Sequence, residues 1–272
     1  MVQQRQPVHW QNGLHKELEK LVNGPRFGLI TDVDGTISRL VNDPDAAEIV
    51  PRSRQALVAL QERLPLVAVI SGRAAADVAR RVGLPGLVYV GNHGLERWEN
   101  GRISSLADIT PYRPALDRAK TAVESLAPDG MWVEDKQATL SVHYRQTADP
   151  VTVYEQYKPQ VAQIAANEGL RFFEGRLIFE LRPPVEAHKG TAFMALVEEY
   201  ALDTAVFLGD DVTDVDAMKA AQHLRQAGTC YALAIGVRAD HTPASVLARS
   251  DFLANGVDDV ADFLEYLVAT IS

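Results

Sequence analysis

Three short runs carry acids and hydroxyls: Asp32-Val-Asp34-Gly35-Thr36, Ser71-Gly72-Arg73 and Gly209-Asp210-Asp211-Val-Thr-Asp214. Lys189 lies between the last two, at the start of a helical pattern. The carboxylates of Asp32, Asp34, Asp210, Asp211 and Asp214, brought into one small region, repel each other and require a cation. A hard, oxygen-only ligand set selects Mg²⁺, with Mn²⁺ able to replace it. No Cys or His has the spacing of a zinc site. A divalent ion in turn bridges to phosphate. Ser71, Lys189 and the backbone N–H groups at Asp34–Gly35 and at Gly72–Arg73 are typical phosphate holders. Gly35 lets the chain turn tightly behind the aspartates. Two aspartates two residues apart can divide the labour, one attacking phosphorus and the other handling the leaving group's proton.

These loops act together only if the fold brings them together. Phe27–Thr31, Leu66–Ile70, Leu87–Val90, Ala205–Leu208 and Tyr231–Val237 are short apolar runs that read as buried strands. Each of the three acidic or hydroxylic loops follows one of them. Helical patterns alternate with the strands: after Pro51, over Ala74–Val82, His188–Tyr200, Asp214–Ala221 and Val257–Ile271. That alternation predicts a parallel, doubly wound α/β sheet, whose ligands bind at the carboxyl ends of the strands. Asn100-Gly101 between two short strand candidates predicts a hairpin.

The texture changes over 110–183. Tyr112–Leu126 and Val151–Glu168 read as helices; Met131–Glu134, Thr139–Arg145, Leu170–Phe173 and Arg176–Arg182 read as strands. The order α-β-β-α-β-β predicts an antiparallel α+β unit inserted into the first, with 1–109 and 184–272 forming the α/β core.

Bulk properties exclude several classes. The chain has 272 residues, 27 basic and 36 acidic, for a formal charge of −9. No basic cluster offers a footprint for nucleic acid or an anionic membrane. No apolar run is long enough for a membrane helix, and the first ten residues lack the apolar centre of a signal peptide. The single cysteine, Cys230, allows no intrachain disulfide and fits a reducing compartment. The expectation is a cytoplasmic monomer acting on a small molecule.

The ordered set Asp32-Val-Asp-Gly-Thr-Ile37, Ser71, Lys189 and Gly209-Asp-Asp-Val-Thr-Asp214 resembles the haloacid-dehalogenase-like phosphatases. The resemblance narrows with Gly91-Asn92-His-Gly-Leu-Glu96, Val133-Glu-Asp-Lys136, Leu140-Ser-Val-His-Tyr-Arg145, Gly175-Arg-Leu-Ile-Phe-Glu-Leu-Arg182 and His188-Lys-Gly190. These look like trehalose-6-phosphate phosphatases from about Phe27 to Thr270. Ile37 and Met218 depart from the commoner leucine and aromatic at their motif positions. The resemblance implies a Rossmann-like core with an inserted cap that binds the sugar. It also implies hydrolysis of trehalose 6-phosphate through an aspartyl-phosphate on Asp32, with Asp34 as acid and base. Mg²⁺ would be held by Asp32, the Asp34 carbonyl and Asp210, with Asp211 or Asp214 nearby. Asn92, Glu134, Lys136, Arg145 and Glu180 would contact substrate, alongside Gly35, Gly72 and Arg73. The implied enzyme is free-standing, with no synthase domain before it. A related phosphatase acting on sucrose phosphate or a glycosyl-glycerate phosphate shares the same core. A silent sugar-phosphate sensor would keep the cap without turnover.

Several of these residues also have plain structural readings. Ser71 can be the N-cap of the helix from Ala74, and Asp210, Asp211 and Asp214 can cap the next helix. A lysine at a helix start, as at Lys189, is electrostatically disfavoured, which points to a function there. His93 reads as a structural hydrogen-bonder. Glu134, Lys136 and Arg145, taken without the resemblance, read as exposed strand charges.

Overall fold

In the computed structural model the described residues are 7–13, 15–41, 47–106, 108–175, 177–240 and 242–271. The chain forms two units, one running to Ser104 and resuming at Ala187, the other spanning Ser105–Glu186. The first begins with β1 (Val8–His9), α1 (Trp10–Gly13), α2 (His15–Val22), β2 (Phe27–Thr31), α3 (Pro51–Gln61), β3 (Leu66–Ile70), α4 (Ala75–Val82), β4 (Val88–Gly91), β5 (Glu96–Glu99) and β6 (Arg102–Ser105). The second holds α5 (Arg113–Glu124), β7 (Trp132–Asp135), β8 (Leu140–His143), α6 (Pro150–Asn167), β9 (Arg171–Gly175) and β10 (Ile178–Arg182). The first unit then continues with α7 (Lys189–Glu199), β11 (Thr204–Gly209), α8 (Val215–Ala227), β12 (Tyr231–Arg238), α9 (Ala244–Arg249), β13 (Phe252–Asn255) and α10 (Gly256–Thr270).

The first unit is a nine-stranded sheet in the order β1-β13-β12-β11-β2-β3-β4-β5-β6. Pairing is parallel from β1 to β4 and turns antiparallel at β4–β5. The sequence expectation ended the sheet at Tyr231–Val237, but β13 and β1 extend that edge. β13 is four residues and β1 only two, too short for a periodic signal. The Asn100-Gly101 hairpin forms with φ of 50° and 78°, both left-handed, as a tight hairpin turn requires.

The strands bury both faces, and their period of two splits the core. Leu29, Val67, Val69, Val206 and Leu208 face one layer with Leu57, Phe263 and Leu264 from α3 and α10. Ile30, Ala68, Ile70, Ala205 and Phe207 face the other, with Phe193, Leu196 and Met218 from α7 and α8. Burying a phenylalanine such as Phe193 or Phe207 contributes about 2–3 kcal/mol. This two-sided burial is why the strands read as unbroken apolar runs.

From β2 the chain winds through β3 to β4 on one side and, after the insertion, through β11 to β12 on the other. The sheet therefore reverses its strand order between β2 and β11. A crevice opens beyond the strand ends at such a point.

The inserted unit is a four-stranded antiparallel sheet, order β7-β8-β10-β9. One face packs Leu140, Val142, Phe179 and Leu181 against Leu116, Val123, Val161 and Ala165 of α5 and α6. The Asp149 carboxylate caps α6, accepting from the N–H groups of Val151 and Thr152. Alternation places Trp132, Glu134, Ser141, His143, Phe173, Ile178, Glu180 and Arg182 on the other face. Among the described residues no helix is long and apolar enough to cross a membrane.

Candidate active site

Asp32 follows β2 directly and keeps its strand register, its N–H donating to the Leu208 carbonyl at 2.9 Å. The chain then folds into a tight loop. The N–H groups of Ile37 and Ser38 both donate to the Val33 carbonyl, and Gly35 N–H donates to the Ser38 carbonyl. Gly35 has φ of +89°, and a Cβ there would lie 2.1 Å from Asp210 Oδ2. Glycine thus lets the loop after β2 and the loop after β11 touch. Thr36 Oγ1 donates to Asp210 Oδ1 at 3.2 Å.

Lys189 opens α7 and is buried. Its Nζ donates to Asp32 Oδ1 and to Asp214 Oδ1, each at 2.7 Å. These carboxylates offset the cost of a cation at a helix N-terminus. The helix start is capped by His188, whose Nδ1 accepts from the N–H groups of Gly190 and Thr191. A histidine is an uncommon N-cap, and the sequence reading did not assign it.

Asp32, Asp210 and Asp214 are all buried, and they offer oxygens that all lie within 4.8 Å of one another. One lysine serves three carboxylates. Lys189 is the charged member: burial disfavours its charge, but Asp214 and Asp32 outweigh this and hold the ammonium well above its usual range. The shortfall of positive charge appears on the acids. Burial pushes Asp32 up to about 8 despite Lys189, with Asp214 and Asp34 adding to the rise. Burial pushes Asp210 up to about 9, reinforced by Asp32, Asp214 and Asp211. A buried oxygen cluster short of positive charge fits a hard divalent cation.

Of the five carboxylates expected to converge, the structure gathers these three. Asp34 points its carboxylate to Arg73, which grips it with two bonds, Nε to Oδ2 at 2.6 Å and Nη2 to Oδ1 at 2.8 Å. The fork geometry of guanidinium and carboxylate explains the diversion. Asp211 uses its side chain to accept from the Asp214 N–H, in a reciprocal capping box. Asp214 does not cap α8. Its Oδ2 reaches back to the N–H groups of Asp210 and Asp211, both at 2.9 Å, and closes the loop. It thereby orients Asp210 and Lys189 together.

Ser71 follows β3, and its N–H donates to the Val90 carbonyl at 2.9 Å. It is not a helix cap. Its Oγ accepts from the Arg73 N–H at 3.2 Å, while the N–H of Ala75, first in α4, is taken by Glu96 Oε1 at 2.6 Å. That gives Glu96 a structural role. Asn92 and His93 brace the same loop through their backbones, Asn92 N–H to the Arg73 carbonyl at 2.7 Å and His93 N–H to the Ser71 carbonyl at 3.0 Å. Both are buried and left-handed, with φ of 47° and 57°. Such strain in two non-glycine residues persists only where the surroundings hold it, and it concentrates at functional sites. Asn92, expected to contact substrate, braces this loop through its main chain. The His93 ring packs against Gly72, where a Cβ would lie 2.6 Å from Cε1. Gly72→Ala is therefore expected to push the ring or the loop aside and to lower stability by about 1–3 kcal/mol. A thermal melt checks this, and a wild-type melting temperature would show that the loop can yield at no cost.

In the inserted unit Glu180 is the centre of a buried charge cluster. Its Oε1 lies 3.6 Å from Lys136 Nζ and accepts from Ser141 Oγ at 3.3 Å. Its Oε2 accepts from Arg182, through Nε at 2.9 Å and through Nη2. Lys136 follows β7 in a turn shaped by Gln137, at φ of 67°, and its N–H donates to the Thr139 carbonyl. Glu134 Oε2 and His143 Nε2 are 2.9 Å apart. Arg145 lies in the turn beyond β8 rather than on the strand. Lys136 is thus a buried partner of Glu180, not an exposed strand charge. Neither Arg182 nor His143 carries a signal of its own in the sequence. Both join the charged face only once the strand register is known.

The family model for trehalose-phosphatase matches residues 30–247. A trehalose-phosphate phosphatase of Mycobacterium avium (strain 104) is 37% identical over 204 residues, covering 70% of this chain and 50% of that protein. One from Mycobacterium tuberculosis (strain ATCC 25618 / H37Rv) is 37% identical over 201 residues, covering 68% and 49%. The chain spans about half the length of these curated relatives. The solved C-terminal domain of C. albicans trehalose-6-phosphate phosphatase superposes with a TM-score of 0.79 at 22% identity, covering 98% of this chain and 100% of that one. The matched stretch takes in the Asp32 loop, Ser71, Lys189 and the Asp210 loop together with the whole inserted unit, and by that match the chain belongs to the trehalose-phosphatase family.

Proposed function

We propose that the chain hydrolyses trehalose 6-phosphate to trehalose and phosphate through an aspartyl-phosphate on Asp32. The buried assembly of Asp32, Lys189, Asp210 and Asp214 at the sheet's switch point is the observation that carries this reading. The Asp32 oxygen that Lys189 does not hold attacks phosphorus, and the bond from phosphorus to the sugar oxygen breaks. Asp34 gives that oxygen a proton. Water then attacks the phosphoryl group, Asp34 takes its proton, and the Asp32 carboxylate is restored. In its acid form Asp34 keeps one acceptor oxygen for Arg73 and presents the other, with its proton, to the sugar. Lys189 lowers the repulsion between Asp32 and its anionic target and stabilises charge on the phosphoryl oxygens. Asp32, Asp210 and Asp214, with the Asp34 carbonyl, would hold Mg²⁺, and the bound ion would supply further positive charge to those oxygens.

In this reading the inserted unit is the cap and recognises the sugar. Phosphate is common to every phosphomonoester, so discrimination has to come from groups that meet the hydroxyls. Glu134, Lys136, Arg145 and Glu180 supply acceptors and donors of that kind. A phosphate-release assay over trehalose 6-phosphate, sucrose 6-phosphate, glucose 6-phosphate and p-nitrophenyl phosphate tests the assignment. Trehalose 6-phosphate is expected to give the highest kcat/KM, and a clear preference for another sugar phosphate would overturn the substrate. Glu134→Ala, Lys136→Ala and Arg145→Ala should each lower kcat/KM for trehalose 6-phosphate at least about tenfold, the size of one polar contact to a charged group. The loss should be far smaller on p-nitrophenyl phosphate. Equal losses on both substrates would move these residues from recognition to chemistry or folding.

A further inference from the structure

Three rows of side chains cross the face of the inserted sheet opposite α5 and α6, and their chemistry changes from row to row. The first register row is Trp132, His143, Ile178 and Gly175, which is aromatic and apolar. The second is Glu134, Ser141, Glu180 and Phe173. The third holds Arg182 opposite Arg171, with Lys136 just beyond the end of β7. Rows two residues apart are separated by about 7 Å, so the cations lie about 13 Å from the aromatic end.

Trp132 is out of keeping with a solvated edge strand. It opens β7, an edge of this sheet, and remains 41% exposed. An indole left in water is costly unless something else covers it. The ring is nonetheless held. It stacks on His143 with centroids 4.1 Å apart and an interplanar angle of 11°. His143 is in turn held by the Glu134 carboxylate. A fixed, exposed aromatic surface suits a ring whose C–H groups are apolar and whose edge carries hydroxyls. A pyranose has both.

We propose that Trp132, fixed by His143, is a platform for the unphosphorylated pyranose of a disaccharide phosphate. The charge gradient sets the orientation: the neutral ring lies at the aromatic row, its hydroxyls meet the carboxylate row, and the second ring lies toward Lys136 and Arg182. This rests on the reading of the chain as a disaccharide-phosphate phosphatase and adds a specificity residue to it. Trp132 meets only the ring that a monosaccharide phosphate lacks, so it should act on the choice between the two.

The test compares kcat/KM for trehalose 6-phosphate and glucose 6-phosphate in wild type, Trp132→Ala and Trp132→Phe. The ratio of the two should fall about three- to tenfold in Trp132→Ala, mainly through KM, the range of one aromatic stacking contact. Trp132→Phe should retain most of it. Unphosphorylated trehalose should change the tryptophan fluorescence of wild type but not of Trp132→Phe, where Trp10 and Trp98 remain. An unchanged ratio in Trp132→Ala, or a fluorescence response that survives in Trp132→Phe, overturns the platform. A wild-type enzyme that does not favour trehalose 6-phosphate over glucose 6-phosphate overturns the function reading itself, whatever the variants do.

Discussion

Asp32→Asn should lower phosphate release by at least about a thousandfold while leaving the fold intact. The amide keeps the shape of the carboxylate and a carbonyl oxygen to accept from Lys189 Nζ. It lacks the charge that makes the oxygen a nucleophile, so no aspartyl-phosphate can form. The buried cluster carries more negative charge than Lys189 balances, and burial already pushes Asp32 up to about 8. A carboxyl whose pKa rises on folding costs stability above about pH 4, a cost the amide does not carry, so the melting temperature in the absence of metal should hold or rise. A structural residue would show the opposite, with activity and stability falling together. Release of phosphate at a rate near wild type would remove Asp32 as the nucleophile. Loss of activity accompanied by a large drop in melting temperature would leave its role as a folding effect.

The core and its loops were readable for a physical reason. Parallel strands buried on both faces are continuous apolar runs, and the loops at their carboxyl ends are short, polar and punctuated by Gly35, Gly72 and Gly209. Spacing along the chain was enough to predict that Asp32, Lys189, Asp210 and Asp214 gather. What spacing cannot show is how a carboxylate is shared once gathered. Asp34 and Asp211 were counted with the cluster because they belong to the same motifs. Asp34 is instead gripped by Arg73, and Asp211 closes a backbone turn. Both outcomes depend on side-chain direction, which residue type alone leaves open.

The support around the site was harder to read. Nothing in Gly91-Asn92-His93-Gly94 announces that two left-handed residues will press a ring against Gly72 and clamp Ser71. The inserted unit shows the same limit. Lys136 is far in sequence from Glu180 and Arg182, and only the register of β7, β8 and β10 brings them into one buried cluster. The small strands β1 and β13 leave no mark in the sequence because length, not chemistry, carries the periodic signal.

Removal of divalent metal should silence the enzyme as fully as loss of Asp32, and reversibly. In excess EDTA, activity should drop below about one per cent, and added Mg²⁺ should restore it, as expected where metal charge stabilises phosphoryl transfer. Turnover alone would not show where the ion binds, so a second readout is needed. Asp32, Asp210 and Asp214 converge on one lysine charge, and burial pushes Asp210 up to about 9. An ion that binds there favours the folded state by mass action, about 2.7 kcal/mol at a hundredfold excess over Kd. For a chain of this size that corresponds to a rise in melting temperature of roughly 5–10 °C. Asp210→Asn should abolish the activity and shrink the Mg²⁺-induced rise, because it removes one charged ligand from the cluster. The variant should also melt higher than wild type without metal, since Asp210 is one of the repelling acids. Full activity in excess chelator would exclude the metal. A Mg²⁺-induced rise of the same size in Asp210→Asn would place the ion away from this cluster, and the three buried carboxylates would then have to be balanced by proton uptake instead.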